Sequence, residues 1–348
     1  MYFEIHPDRI RQTPAPTDAY FRQAWEFCQS YAAGKEEFFL HTSGSTGEPK
    51  PIRLTRAQMQ ASARMTQQAL GLKKGHQALV CLNTGYIAGI MMLVRGMEIG
   101  LTLYIVTPSS QPFAEISDDI TIDFVALVPL QLQTLLETRQ HDRLNALHAI
   151  IVGGAPVNDT LSAQIRQLQV PVFSTYGMTE TVSHVALQKL NGPDASDAYH
   201  LLKGIDADTD ERGCLRLCGA VTNLEWVQTN DVVRFEDTSR FQIIGRADNI
   251  INSGGVKIQP EKVERAIEKT AHCPERYFVW WKPDERLGQK LILMVENDQP
   301  FDSDSLIQAL KSVLNPYEIP QEVHTVKKFA ETATGKVDKR RTFAENIS

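Results

Sequence analysis

The stretch His41-Thr-Ser-Gly-Ser-Thr-Gly-Glu-Pro-Lys50 is built from residue types that suit a polyanion. Gly44 and Gly47 let the backbone turn and approach oxygens closely. Thr42, Ser43, Ser45 and Thr46 add hydroxyl donors, and Lys50 supplies a cation. The chemistry this predicts is a grip on the phosphates of ATP. The spacing is not that of the P-loop, Gly-x-x-x-x-Gly-Lys-Ser/Thr, because Lys50 stands between Pro49 and Pro51. Without companions, such a run is more often a mobile loop or linker.

Three companions follow. Ser174-Thr-Tyr-Gly-Met-Thr-Glu-Thr181 leaves an apolar strand-like run: Thr175 and Thr179 bring hydroxyls, Tyr176 a planar face for a base, Gly177 a close backbone approach, and Glu180 a hard oxygen ligand for Mg²⁺. Alone, this is a turn after a strand. Further on, Asp231 offers a carboxylate that accepts two ribose hydroxyls, and Arg246, in Ile244-Gly-Arg-Ala-Asp248, meets ribose or phosphate oxygens. Alone, these are a turn aspartate and a surface arginine. The last is Gly335-Lys336, in a polar tail where a lysine is ordinarily a solvated charge.

In this order the motifs resemble those of the acyl-adenylate-forming superfamily, which comprises acyl-CoA synthetases, luciferases and the adenylation domains of peptide synthetases. The match runs from Phe38 to Arg340. Tyr176 to Glu180 fits the superfamily's Tyr-Gly-x-Thr-Glu at every defined position, roughly 130 residues after the phosphate loop. Two departures are visible: Thr229-Asn230-Asp231 replaces Thr-Gly-Asp, and no proline stands at Ala330 ahead of Gly335-Lys336. The resemblance implies a two-step reaction in which a carboxylate attacks the α-phosphorus of ATP, and a thiol, usually that of coenzyme A, then displaces AMP. It implies that Lys336 stabilises the developing charge, Glu180 holds Mg²⁺ and Thr42 to Lys50 hold the β- and γ-phosphates. It also lays Gly153-Gly154-Ala155 along the adenine, makes Asp248 the hinge of a mobile C-terminal domain, and places Ser253-Gly254-Gly255 on the thiol path. The last segment reads equally as a hairpin turn.

The segments around Tyr86 and Gly89, Leu127 to Gln131 and Asn252 to Gly255 look like those of o-succinylbenzoate–CoA ligases, so the acid is expected among Tyr86 to Val94, Val128 and Gly153 to Ala155. Arg95 would meet a second carboxylate, although a mid-helix arginine is more often solvated or ion-paired. Only about 40 residues precede the phosphate loop, so the resemblance leads one to expect that an early subdomain usual in the superfamily is largely missing.

The elements that must position these residues are legible from periodicity. Phe21, Trp25, Cys28 and Ala32 fall at helical spacing over 18–33. Thr55 and Gln58 form a capping-box pattern that opens a helix to Leu70, with Gly71 as its stop, so the phosphate loop is expected between a strand and a helix. Strand-like runs at 78–82, 101–106, 124–128, 149–152 and 172–174 alternate with helix-like segments around 86–98, 130–139 and 158–168. This predicts an α/β fold with a helix-covered, mainly parallel sheet. Shorter alternating runs from about Ser183 (214–218, 224–228, 231–235, 241–244) predict a β-rich subdomain. A helix near 260–269, strands near 277–281 and 290–296 and a helix near 304–314 predict a small α+β domain. The expected boundaries are an AMP-binding domain over 1–246 and a lid domain over 247–348.

With 348 residues, 42% of them hydrophobic, the chain can bury a large core. A net charge of −6 without a dense basic stripe argues against a nucleic-acid or anionic-membrane partner. The most apolar stretch, Tyr86 to Val106, is broken by Arg95 and Glu98, so neither a membrane span nor a signal peptide is expected. Five scattered cysteines fit a reducing compartment, by default the cytoplasm. Cys214 and Cys218 fall on one strand face and read as core rather than metal ligands. A homo-oligomer is compatible with the sequence. The first expectation is an ATP-dependent o-succinylbenzoate–CoA ligase. The alternatives are an aryl- or fatty-acyl-CoA ligase, an enzyme loading a carrier protein, and a non-catalytic nucleotide-binding relative.

Overall fold

The computed structural model describes residues 1–41, 51–299, 301–331 and 337–347. The chain divides into two compact units, one comprising Met1–Asp208, Arg216–Val227 and Phe235–Gln242, the other Thr209–Leu215, Gln228–Arg234 and Ile243–Ser348.

In chain order the first unit contains β1 (Tyr2–Ile5), α1 (Ala19–Ala32), β2 (Glu37–His41), β3 (Pro51–Thr55), α2 (Arg56–Leu70), β4 (Gln77–Val80), α3 (Ile87–Ile99), β5 (Thr102–Val106), β6 (Phe124–Leu127), α4 (Pro129–Glu137), α5 (His141–Asn145), β7 (Ala149–Val152), α6 (Asp159–Ile165), β8 (Val172–Gly177), β9 (His184–Lys189) and β10 (Tyr199–Leu201). Local chemistry sets the helix ends. Asp18 accepts hydrogen bonds from the Tyr20 and Phe21 N–H groups at the start of α1. Thr55 and Gln58 close a capping box on α2, which stops at Gly71 with φ 65°.

The strands lie in the order β1-β5-β4-β6-β7-β8-β9-β10. The four pairs from β5 to β8 are parallel, flanked by antiparallel pairing of β1 with β5 and of β8 with β9. Every residue of β6 and β7 is buried, as strands covered on both faces must be. Leu132, Leu135, Leu161 and Ile165 of α4 and α6 join Val125, Leu127, Ile150 and Val152 in one apolar core.

The phosphate loop departs from the strand-to-helix expectation. Residues 51–55 form β3, antiparallel to β2 with His41 opposite Pro51, and the helix starts only at Arg56. Residues 42–50 themselves, with every candidate phosphate ligand from Thr42 to Lys50, lie outside the described residues.

Further strands are β11 (Ile205–Thr209), β12 (Cys214–Gly219), β13 (Val227–Phe235) and β14 (Arg240–Arg246). The runs read as 224–228 and 231–235 are in fact one nine-residue strand; Leu224, at φ 62°, belongs to the turn before it. In the second unit, β15 (Ile251–Ser253) and β16 (Val256–Ile258) form a hairpin, followed by α7 (Pro260–Glu268), β17 (Arg276–Asp284), β18 (Gly288–Glu296), α8 (Ser303–Leu310), β19 (Glu322–Val326) and α9 (Lys339–Asn346). Alternation along β17 and β18 feeds two cores: Val279, Leu291, Leu293 and Val295 on one face, Phe278, Ile292 and Met294 on the other. No helix among the described residues is long and apolar enough to cross a membrane.

Candidate active site

In the first unit the candidates gather where parallel strands end. β4, β6, β7 and β8 are neighbours in the sheet, with Leu127 opposite Val152 and Val152 opposite Ser174. The segments that follow them carry Tyr86, Val128, Gly153 to Ala155 and Thr179-Glu180 respectively. In open α/β sheets ligands bind outside these carboxyl ends.

Packing explains the glycines. A Cβ on Gly153 would collide with the Thr175 hydroxyl, which donates to the Val152 carbonyl at 3.2 Å, so β7 and β8 are fastened together at their ends. Gly154, at φ 86°, is left-handed and Ala155 is exposed, which turns the chain outward above Val128. Tyr86 sits at the N-cap of α3 and is 43% exposed. Gly89 is buried: a Cβ there would strike the Asn83 carbonyl, so its first duty is to let α3 pack on the preceding loop.

Tyr176 is only 8% exposed. Its ring meets Phe241 edge-on at 5.4 Å and Tyr199 at 5.8 Å, and the Tyr199 hydroxyl lies 3.0 Å from the Ser174 hydroxyl. The strand end thus rests on an aromatic cluster. Gly177 is a glycine because the chain returns against it: a Cβ would collide with the Ser183 carbonyl. Gly177 pairs with His184 across a register shift, so residues 178–183 form a tight loop between β8 and β9. At its tip Glu180 is exposed and Thr179 half-buried. At its base Thr181 is fully buried, its hydroxyl accepting from the Met178 N–H at 3.0 Å and lying within hydrogen-bonding distance of the Met178 and Ser183 carbonyls at 3.1 and 2.9 Å. Val182, fully buried, is held at φ 65° and ψ −55°, a conformation costing a β-branched residue on the order of 1–3 kcal/mol.

Arg95 is neither solvated nor ion-paired. It is 2% exposed, and none of the ion pairs among the described residues includes it. Its Nε donates to Thr66 Oγ1 at 3.1 Å, and Nη2 donates to Ser183 Oγ at 2.8 Å and to His184 Nδ1 at 3.4 Å. Arginine has no acceptor, so His184 Nδ1 is bare and the ring proton sits on Nε2. That proton is given to Thr66 Oγ1 at 3.1 Å, and the Thr66 hydroxyl passes its own to the Ser62 carbonyl at 3.0 Å. Burial pushes the Arg95 guanidinium down to about 10, and burial followed by the Arg95 charge holds His184 well below the usual imidazole range. Thr66, Ser183 and His184 carry no motif and no spacing signal; only the fold brings Thr66 and His184 together across 118 positions.

In the second unit, Asp231, Arg246 and Asp248 form one ionic group. Arg246 donates from Nη1 to Asp231 Oδ1 at 3.0 Å, and from Nε and Nη2 to the two Asp248 carboxylate oxygens at 2.9 and 2.8 Å. Asp231 lies inside β13 rather than in a turn, and its N–H donates to Thr229 Oγ1 at 3.0 Å. The Arg246 fork holds the Asp248 carboxyl below its ordinary value. Ser253 pairs with Val256, and Gly254 and Gly255 take φ 57° and 83°, so this segment is a two-residue hairpin turn. Lys336 lies outside the described residues. Among the described residues no group of three His, Cys, Asp or Glu side chains is placed to hold a metal ion.

A helix-covered parallel sheet with polar loops at its carboxyl ends is the architecture of a nucleotide-binding α/β enzyme. The family model of AMP-binding enzymes matches residues 14–203, and the chain belongs to that family. It is 48% identical to an acyl-CoA synthetase (AMP-forming)/AMP-acid ligase II-like protein from Dyadobacter fermentans, with 99% of each chain covered and a TM-score of 0.70. It is 23% identical to the 2-succinylbenzoate–CoA ligase of Listeria monocytogenes over 91% of this chain and 71% of that one. The o-succinylbenzoate coenzyme A synthetase of Bacillus subtilis, solved with ATP and magnesium ion, shares the fold at a TM-score of 0.74 and 21% identity, covering 87% of this chain and 69% of that one.

Proposed function

We propose that this chain is an AMP-forming acid–thiol ligase that adenylates o-succinylbenzoate and transfers the acyl group to coenzyme A. The observation that carries the chemistry is the Gly177–Ser183 loop beside Gly153–Ala155, with an exposed Glu180 at the carboxyl ends of adjacent parallel strands. The choice of acid is supported by the curated relatives named 2-succinylbenzoate–CoA ligases, at 22–26% identity.

In the first step a carboxylate oxygen of the acid attacks the α-phosphorus of ATP, the bond to the β-phosphate oxygen breaks, and pyrophosphate leaves. Two anions must meet, so the protein supplies position and positive charge, not a nucleophile. Thr42 to Lys50 hold the β- and γ-phosphates, Lys336 steadies the charge at the α-phosphate, and Thr179 adds a hydroxyl. Gly153 to Ala155 and Tyr176 flank the adenine, and Asp231 and Arg246 take the ribose hydroxyls. Glu180, with its exposed carboxylate, would hold Mg²⁺. When bound, the metal neutralises phosphate charge. In the second step the coenzyme A sulfur attacks the acyl carbonyl, the acyl–oxygen bond to AMP breaks, and the thiol proton is released. A hinge at Asp248 and passage beside Ser253 to Gly255 belong to this step.

Mass spectrometry of products after mixing protein, ATP, Mg²⁺, coenzyme A and o-succinylbenzoate tests the proposal, with benzoate and octanoate as comparison acids. A dominant o-succinylbenzoyl-CoA supports it. Acyl-AMP without thioester points to a carrier-protein acceptor. No acyl-AMP from any acid removes the catalytic reading.

A further inference from the structure

We infer that Arg95 is a positioning residue for the Thr179–Glu180 loop, acting from beneath through Ser183 and His184. This rests on the reading of Glu180 as the carboxylate that meets magnesium.

The loop begins at Gly177 and ends at His184, which are opposite one another across β8 and β9. Its outgoing stem is fixed by strand pairing and by Thr175. Its returning stem is strained, because Val182 sits at φ 65°. A strained conformation persists only where its surroundings over-determine it. Two devices do so here. Thr181 closes the turn on itself through the Met178 N–H and the Met178 and Ser183 carbonyls. Arg95 then grips the two residues after Val182, one through the Ser183 hydroxyl and one through the His184 ring, and anchors both to α2 through Thr66.

A fully buried guanidinium among neutral partners is an expensive way to hold a turn. Its planar fork nevertheless reaches three groups on two elements at once, which an ammonium or a neutral side chain cannot. The protons shared among Arg95, Thr66 and His184 have one arrangement while His184 is neutral, so this part of the lock has one hydrogen-bonding state. Glu180 and Thr179 inherit that rigidity, since only Thr181 and Val182 separate Glu180 from the gripped Ser183.

The test compares the wild type with Arg95→Met and Ser183→Ala by hydrogen–deuterium exchange of residues 178–184, without metal or nucleotide, and by magnesium titration of pyrophosphate release. Faster exchange confined to this loop is expected in both variants. With it, the half-saturating magnesium concentration should rise about 10- to 100-fold in Arg95→Met, by less in Ser183→Ala, with thioester formation from supplied acyl-AMP little changed. If Arg95→Met does not fold, Ser183→Ala decides alone. Unchanged exchange over 178–184 overturns the inference whatever the substrate. So does an unchanged magnesium titration with a raised KM for o-succinylbenzoate alone, which would make Arg95 a ligand for its second carboxylate. A wild type that releases no pyrophosphate with any acid defeats the proposed function but leaves the exchange comparison to judge the lock.

Discussion

The β8–β9 loop of the first unit and the Asp231–Arg246–Asp248 group of the second both carry candidate nucleotide ligands, and they are held by opposite means. The loop stands on fully buried groups: Thr181, Val182, and an arginine whose partners are neutral. The ionic group runs from a buried Asp231, its side chain 12% exposed, out to Arg246 and Asp248 at the surface, 45% and 46% exposed. Buried hydrogen bonds to a single cation are insensitive to salt and stiff, whereas exposed ion pairs are weak, screened and readily exchanged. The first arrangement suits a group that must not move when a charged ligand arrives. The second suits an arginine that exchanges a carboxylate for ligand oxygens and, with Asp248, a segment that changes its contacts between steps.

The sharpest way to break this contrast is at the proposed reaction itself. Lys336→Ala should lower adenylation about 10³-fold while leaving thioester formation from supplied acyl-AMP nearly intact, as read by pyrophosphate release and by thioester mass. Equal loss in both half-reactions would remove the role given to this lysine. Next comes Asp231→Asn, which replaces a charge-assisted acceptor and should raise KM for ATP about 10-fold or more; an unchanged KM would leave Asp231 a structural partner of Arg246. Gly177→Ala probes the rigid side. The methyl would collide with the Ser183 carbonyl, so a loss of about 1–3 kcal/mol in urea unfolding is expected, and a neutral effect would show that the loop yields.

The smallest effect is the pH dependence of stability. The folded pKa of His184 lies well below its unfolded value near 6.5, so the unfolded chain binds the extra proton between the two. The contribution of neutral His184 is therefore complete above about pH 6.5 and is lost as pH falls toward the folded pKa, by at most about 1.4 kcal/mol per pH unit. Urea midpoints measured from pH 7.5 to 5.5 should fall less steeply in His184→Gln than in the wild type. Parallel slopes would mean that His184 is not the buried neutral group described.

Much of the scaffold was legible beforehand. The capping box at Thr55 and Gln58, the stop at Gly71 and the apolar runs of β6 and β7 are local signals, and the structure carries them at the expected positions. The strand before the phosphate loop was read correctly, but its partner β3 was missed because Pro51 to Thr55 has too few residues to show alternation beside a stronger helix signal. The split of 224–235 into two runs failed for a related reason: Thr229 and Asn230 read as turn residues, while sheet pairing overrides that preference. The solvated or ion-paired reading of Arg95 failed differently. Periodicity places an arginine on a helix but does not say what covers it, and only packing shows that the covering partners are Thr66, Ser183 and His184.

The sequence alone determined the family chemistry, because phosphate, metal and ribose recognition each demand particular side chains in fixed order along short segments. It also determined the alternation of strand and helix, because hydrophobic period is a local property. The tertiary structure decided why those segments keep their shape. Gly153 against Thr175 and the proton-ordered cluster of Arg95, Thr66 and His184 are meetings of residues far apart in the chain, and Gly177 meets Ser183 only because the loop folds back on itself. Their energies come from close packing and burial, which no spacing along a sequence encodes.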